Sequence, residues 1–273
     1  MSKPAELTDR NALEMHRMRA LSAPAFFLLE DTADEIQERL NEVNRVFKTE
    51  AVVAPFPNFW ATHFPTAKVV PDEDLLDFEP EAHDLIVDGL SLHWSNDPVG
   101  QLIQIRRALR PDGLFLGAVF GGQTLHELRS CLAEAEIFLA GGLSPRIAPM
   151  GEIRDLGAIL QRAGFALPVA DTSVKTVSYR SAFHLMKDLR AMGETNALAQ
   201  RRKTIPPKAL FAEAAKIYAQ KYSMADGRIP ATFEIVYLTG WAPDESQQKP
   251  LRPGSAKARL ADALGTTETP VSD

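Results

Sequence analysis

The segment His83-Asp-Leu-Ile-Val-Asp-Gly-Leu-Ser-Leu-His-Trp-Ser-Asn-Asp-Pro98, continued to Phe120, decides which fold the sequence predicts. The stretch Asp84-Leu-Ile-Val87 is typical of the start of a strand. A helix is expected to begin at Pro98, because the preceding aspartate accepts hydrogen bonds from free N–H groups of a first turn. Arg110-Pro-Asp-Gly113 ends this helix and leads into a strand at 114–120 that is apolar on both faces. Strand, helix and strand therefore form a βαβ unit.

The other hydrophobic patterns extend this unit into an α/β protein with a mostly parallel central sheet and helices on both faces. Thr124 and Glu127 are predicted to form a capping box at the start of one helix. The predicted organisation is a helical segment at 1–48, an α/β domain at 49–242 with a helical insertion at 181–223, and a surface tail at 243–273. Short strands are expected at 51–54 and 67–70, joined by a stunted connection with an aromatic stretch at 58–64.

Charge and cysteine content limit the classes of protein and the partners that fit. The 273 residues include 30 Lys and Arg against 36 Asp and Glu, a net charge of −6 at pH 7, and one cysteine. Cys131 lies in an apolar helical pattern and is predicted to be a core residue in a reducing compartment. The acidic balance argues against nucleic acid as a partner. No apolar run approaches the ~18 residues of a membrane span, and the acidic N-terminal residues resemble no targeting signal, so we expect a cytoplasmic protein without a transmembrane segment.

Common catalytic motifs are missing from the sequence. It contains neither a phosphate loop nor G-x-G-x-x-G, and Gly89-Leu-Ser91-Leu-His93 lacks the second glycine of a nucleophile elbow. The six histidines show no ligand spacing, so no metal site is assigned. Ser91, Leu92 and His93 follow the carboxyl end of a predicted parallel strand, where open α/β sheets bind ligands. His93 is the candidate catalytic base; the alternative is a hydrogen-bonded structural histidine beside a buried Trp94.

The stretch from the first strand of the βαβ unit to Phe120 resembles the second half of the Rossmann-like fold of S-adenosylmethionine-dependent methyltransferases. Residues 81–257 more closely resemble the methyltransferase-like family that assembles respiratory complex I, whose mitochondrial member is an arginine hydroxylase. The motifs that carry this resemblance are Ser91-Leu-His-Trp94, Leu109-Arg-Pro-Asp-Gly113, Phe120-Gly-Gly-Gln-Thr-Leu125, Gly141-Gly-Leu-Ser-Pro-Arg146, Asp155-Leu-Gly157, Arg162-Ala-Gly-Phe165, Met186-Lys-Asp-Leu189, Met192-Gly-Glu194, Asp226-Gly-Arg-Ile-Pro-Ala-Thr232, Gly240-Trp241, Glu245-Ser-Gln247 and Gly254-Ser-Ala256.

The resemblance fails at the cofactor loop. The family's fold has a glycine-rich turn after the first strand, because only glycine lets backbone N–H groups approach the cofactor closely. Here Val53-Ala-Pro-Phe-Pro57 takes that place. Asp72 and Glu73 align with the acidic stretch that precedes the adenine pocket, and the alternative for both is a solvated loop. Cofactor contacts are therefore expected from Asp72, Glu73, Ser91 and Leu92, with S-adenosylmethionine binding weakened or lost.

These observations leave two functions open. The first is a methyltransferase-like protein of complex I assembly that acts on or holds a protein client, which the resemblance suggests is a complex I subunit. The second is an active S-adenosylmethionine-dependent methyltransferase of a protein or small molecule. Whether the chain is an enzyme or a pseudoenzyme is not decided by its sequence.

Overall fold

A computed structural model of the chain describes residues 6–248. The chain divides into two compact units, residues 1–243 and residues 244–273. In the second unit, Ser246 N and Oγ both donate hydrogen bonds to Asp244 Oδ1. The rest of the predicted tail, with the Gly254-Ser-Ala256 motif, lies outside the described residues.

A six-stranded sheet in the order β2-β1-β3-β4-β6-β5 forms the centre of the first unit. Its strands are β1 (Glu50–Val53), β2 (Lys68–Val70), β3 (His83–Gly89), β4 (Leu109–Phe120), β5 (Ala166–Tyr179) and β6 (Ile229–Trp241). The strands β2, β1, β3 and β4 pair in parallel, whereas β6 pairs antiparallel to both β4 and β5. Only β6 therefore runs against the others, which confirms the mostly parallel sheet.

Helices cover both faces of this sheet, as the sequence predicts. They are α1 (Arg10–Ala20), α2 (Phe27–Glu42), α3 (Pro57–His63), α4 (Pro98–Ala108), α5 (His126–Ala140), α6 (Ile153–Ala163), α7 (Ala182–Ala191) and α8 (Lys208–Tyr222). One apolar core contains Leu102 of α4 and Leu160 of α6, and the other contains Ile36 of α2, Cys131 of α5 and Tyr218 of α8. Of the helices described, none combines the length and the apolar character that a bilayer crossing needs.

The predicted start of α4 is confirmed, whereas the predicted capping box of α5 is wrong. Asp97 is the N-cap of α4, and its Oδ1 accepts a hydrogen bond from Gly100 N at 2.8 Å. At α5, Thr124 Oγ1 instead donates to the Glu234 carbonyl at 3.0 Å, and Glu127 accepts from Thr232 Oγ1 at 2.6 Å. Both side chains therefore tie the start of α5 to β6, a long-range pairing that competes with local capping.

Strand β4 begins earlier than the sequence predicts. It starts at Leu109, so the expected turn Arg110-Pro-Asp-Gly113 lies inside the strand. The register shifts there, because His83 pairs with Leu109 but Leu85 pairs with Leu114. Asp112 has a φ of 59°, the left-handed conformation that the turn sequence favours. The turn chemistry is thus used for a bulge within a continuous strand.

Candidate functional site

The loops at the carboxyl edge of the parallel strands bring the predicted site residues to one end of the sheet. Strands β1, β2, β3 and β4 end at Val53, Val70, Gly89 and Phe120. The loop after β2 carries Asp72 and Glu73, and the loop after β3 carries Ser91, Leu92 and His93. Open α/β sheets bind their ligands at this edge.

Asp72 is buried and already has two cationic partners from α1. Its Oδ1 lies 2.6 Å from Arg17 Nη1, and its Oδ2 lies 3.4 Å from Arg10 Nη1. Arg10 also donates to the Asp72 carbonyl. Glu73 is exposed, and both acids line a cavity of about 590 Å³ between α1 and the loops after β1 and β2. The Asp72 carboxylate therefore forms ion pairs with arginine side chains of α1.

The loop after β1 differs from the glycine-rich turn that the methyltransferase fold uses for S-adenosylmethionine. Trp60 of α3 is fully buried, and a Cβ placed on Gly89 would lie only 2.3 Å from Trp60 Cζ2. The indole thus fills the space beside the one glycine at this edge of β3. Pro55 and Pro57 carry no N–H, so the loop after β1 lacks donors that a glycine-rich turn would offer. This loop therefore offers fewer backbone donors to the methionine end of that cofactor, although Pro55 and Pro57 themselves line the cavity of about 590 Å³.

Ser91 and Leu92 are both turned into the protein interior. Ser91 N and Oγ donate to the two carboxylate oxygens of Asp88, at 3.1 and 2.8 Å. Leu92 packs in the apolar core that contains Val53 and Ile86. Burial raises the pKa of Asp88 to about 7, although the two hydrogen bonds from Ser91 oppose this rise. These residues hold the shape of the loop, and neither lines one of the two cavities described here.

The raised pKa of Asp88 predicts a pH dependence of stability. Because the folded state holds this proton more tightly than the unfolded state, the contribution of Asp88 is complete below about pH 4 and is lost as pH rises towards 7. We expect Asp88→Asn to flatten the pH dependence of the free energy of unfolding in that window, as measured by urea denaturation. Ser130→Ala, at an exposed position on α5, is the control. An unchanged slope in Asp88→Asn would show that Asp88 does not bind this proton.

His93 and Trp94 share one carboxylate that the sequence does not single out as a site residue. His93 Nε2 lies 3.1 Å from Glu194 Oε2, and Trp94 Nε1 donates to the same oxygen at 2.7 Å. The His93 side chain is only 1% exposed, and its ring packs edge-on against Phe120. The burial and pairing of His93 are what a structural histidine would show. Its contact with a carboxylate at the end of the sheet is what a catalytic base would show.

Glu194 and Arg17 are the residues that sequence reasoning missed. Burial opposes ionisation of Glu194, but His93, Arg17 and Trp94 outweigh it and hold the pKa of this carboxyl below its usual range. Arg17 also pairs with Asp72, so its guanidinium lies between two acidic groups. The signal for Glu194 was its place in the Met192-Gly-Glu194 motif, whereas an arginine in a helical pattern gives no signal for Arg17.

A larger cavity of about 690 Å³ lies beside Glu194 and Trp94. Elements α1, α5, α7 and α8, with the ends of β4 and β6, contribute its walls. His93 is not among the lining residues, so Glu194 is the group of this pair that reaches the cavity. Within residues 6–248, no three His, Cys, Asp or Glu side chains come together as a group that could hold a metal ion.

The order of the sheet, its single reversed strand and the loops at its carboxyl edge define a Rossmann-like α/β protein of the methyltransferase type. No protein-family model matches the chain. The mitochondrial arginine-hydroxylase NDUFAF5 of Rattus norvegicus is 41% identical over 236 residues, which cover 86% of this chain and 68% of the relative. The same protein of Danio rerio is 41% identical over 229 residues, covering 83% and 71%. The chain therefore belongs to the NDUFAF5 arginine-hydroxylase family, which confirms the resemblance seen in the sequence.

A second group of relatives consists of methyltransferases. A malonyl-[acyl-carrier protein] O-methyltransferase of Xylella fastidiosa is 36% identical over 179 residues, covering 66% of this chain and 58% of that protein. The NDUFAF5 relatives are named as mitochondrial, so the cytoplasmic location expected from the sequence stays a prediction.

Proposed function

We propose that this chain acts in the assembly of respiratory complex I by holding a protein client, with S-adenosylmethionine binding weakened or lost. Membership of the NDUFAF5 family supports the role in assembly. The observation that supports the weakened cofactor binding is the packing of Trp60, from the connection after β1, against Gly89. The two prolines after β1 and the pairing of Asp72 with Arg10 and Arg17 point the same way. Most residues that line the larger cavity come from the part of the chain after β3, whose motifs carry the family resemblance.

An active methyltransferase is the second candidate, and the cavity beside Glu194 favours it. In that case His93 would be the base, and Asp72, Glu73, Ser91 and Leu92 would lie at the cofactor. Because Asp72 is paired and both Ser91 and Leu92 are buried, this function requires α1 and the loop after β3 to move. The first candidate requires no such movement.

We expect S-adenosylmethionine to give no measurable heat of binding to the purified chain in isothermal titration. A ligand present at 100 times its Kd would stabilise the folded state by about 2.7 kcal/mol, so the absence of binding is also visible as an unchanged Tm. A methyltransferase with an intact glycine-rich loop, titrated in parallel, is the positive control. Micromolar binding by this chain would contradict the proposal and favour the second candidate.

The role in assembly is tested in cells that lack the protein. We expect less assembled complex I on native gels, with complex I subunits of unchanged mass, because a holding protein leaves no chemical mark on its client. Restoration by the wild-type chain is the control. Loss of a methyl increment from a subunit would instead identify a methyltransferase, and loss of an oxygen increment an arginine hydroxylase. Normal complex I would contradict the role in assembly.

A further inference from the structure

The larger cavity is lined by many more cations than anions. Glu194 is the only Asp or Glu among its described lining residues. The basic lining residues, leaving histidine aside, are Arg19, Arg146, Lys187, Arg190, Arg201 and Arg202. The protein as a whole is acidic, with a net charge of −6, so this excess of positive charge is local to the cavity.

Part of this positive charge has no ion-pair partner among residues 6–248. Arg146 pairs with Glu136 at 2.6 Å, and Arg201 pairs with Asp9 at 2.8 Å. For Arg19, Lys187 and Arg190, no ion pair is found among residues 6–248. These three side chains are exposed and come from α1 and α7, which pack against each other. They are therefore free to meet a charged group of a ligand.

The interior of the same cavity is apolar. Phe120, Leu128, Leu132 and Phe233 line it, and each is nearly inaccessible to solvent. Thr124 also lines it, but its hydroxyl is already engaged with β6. A volume of about 690 Å³ is within the range of small-molecule sites. A ligand that fits must therefore bring apolar surface to these residues and a charge to the three free cations.

We propose that this cavity binds an anionic amphiphile, a small molecule with a carboxylate or phosphate head group and an apolar tail. Arg19, Lys187 and Arg190 would contact the head group, and the apolar interior would receive the tail. A cationic head group is a poorer fit, because it would face these three cations and because Glu194 already accepts from Trp94 and pairs with His93. The inference goes beyond the proposed function and is independent of whether the chain holds a client.

Four ligands of equal chain length test the charge preference of the full chain by isothermal titration: decanoate, decyl phosphate, decanol and decyltrimethylammonium, all below their micelle concentrations. We expect the two anions to bind more tightly than the alcohol and the cation by about tenfold or more, because a charged head group gains contacts only where the free cations lie. The tighter of the two anions identifies the head group. Equal binding of cation and anions, or binding of none, would overturn the proposal.

Charge-removing variants test the position of the site. We expect Arg19→Gln/Lys187→Gln/Arg190→Gln to weaken the binding of decanoate and decyl phosphate by about tenfold, with decanol unchanged. The matched control is Arg107→Gln/Arg154→Gln/Lys216→Gln, which removes the same charge at exposed positions outside the cavity. Circular dichroism checks folding, and Arg190→Gln alone serves if the triple variant is unstable. Equal weakening in both triple variants, or no weakening in the cavity variants, would refute the assignment.

Discussion

Replacement of Glu194 by alanine is expected to lower the free energy of unfolding by about 3 kcal/mol, since it leaves the Trp94 N–H and the His93 ring without their acceptor. Both partners are buried, so water cannot replace the lost carboxylate without a rearrangement. Arg17 also loses one of the two acidic groups whose charge it faces. Urea denaturation measures the effect, with an unchanged m value as evidence that only the folded state is altered.

Glu194→Gln is the control that separates charge from hydrogen bonding. It keeps an oxygen that accepts from Trp94, so we expect about 1 kcal/mol of destabilisation. Because the pKa of Glu194 is lowered by folding, its contribution is present above pH 4.5 and is lost as pH falls through the lowered value. The wild-type chain should therefore lose stability in acid more steeply than Glu194→Ala. Equal losses of stability for Glu194→Ala and Glu194→Gln, or no loss for Glu194→Ala, would show that the Glu194 carboxylate does not stabilise the fold through His93 and Trp94.

The fold follows from local patterns that are strong enough to be recognised in a single sequence. Strand β3, helix α4 and strand β4 can each be recognised within about a dozen residues. The two strands show an apolar run, and the helix shows the Asp97-Pro98 start signal. Their order then restricts the topology, because parallel strands joined by a helix cross over with one handedness. The start of α5 was not predictable in the same way, since Thr124 and Glu127 have partners on β6 more than 100 residues away.

The site depends far more on contacts between distant parts of the chain. The pairing of Trp94 with Glu194 spans 100 positions, and that of Arg17 with Asp72 spans 55. Sequence patterns give the loop after β2, which carries Asp72, and the loop after β3, which carries Ser91 and His93, because both loops follow from the strands. The same patterns do not predict which distant residue each of these side chains contacts. The larger cavity is assembled from α1, α5, α7 and α8, so its positive charge is visible only once these elements are packed.

The short connection between β1 and β2 places aromatic side chains where a glycine-rich turn is expected. Its aromatic stretch is visible in the sequence, but a helix of seven residues is too short to show a helical period. Phe56 begins this connection in the left-handed conformation, with a φ of 55°, and turns the chain so that Trp60 enters the core. The indole contacts the edge of Phe59 and stacks near Phe64. Aromatic packing thus occupies the position at which a nucleotide-binding loop is expected.

Trp60→Ala should therefore be among the most destabilising single substitutions, with a loss of about 3–5 kcal/mol in the free energy of unfolding, because it empties a fully buried site. Trp60→Phe is the matched control: it keeps an aromatic ring and removes the indole N–H, which has no hydrogen-bond partner in residues 6–248. We expect it to cost less than half as much. Similar losses for both variants would indicate that an aromatic ring of the size of phenylalanine contributes little to packing at position 60.

A double-mutant cycle with Gly89 tests whether Trp60 fills the space beside this glycine. Gly89→Ala alone should cost about 1–3 kcal/mol, because the new methyl group would meet Trp60 Cζ2 at 2.3 Å. In the Trp60→Ala background that clash is gone, whereas Ala54 Cβ, at 2.9 Å, stays close. The loss of unfolding free energy in the double variant should therefore be smaller than the sum of the two single losses, by about 1 kcal/mol or more. Strictly additive losses would mean that Trp60 does not occupy the place beside Gly89, and the main argument against cofactor binding would fail with it.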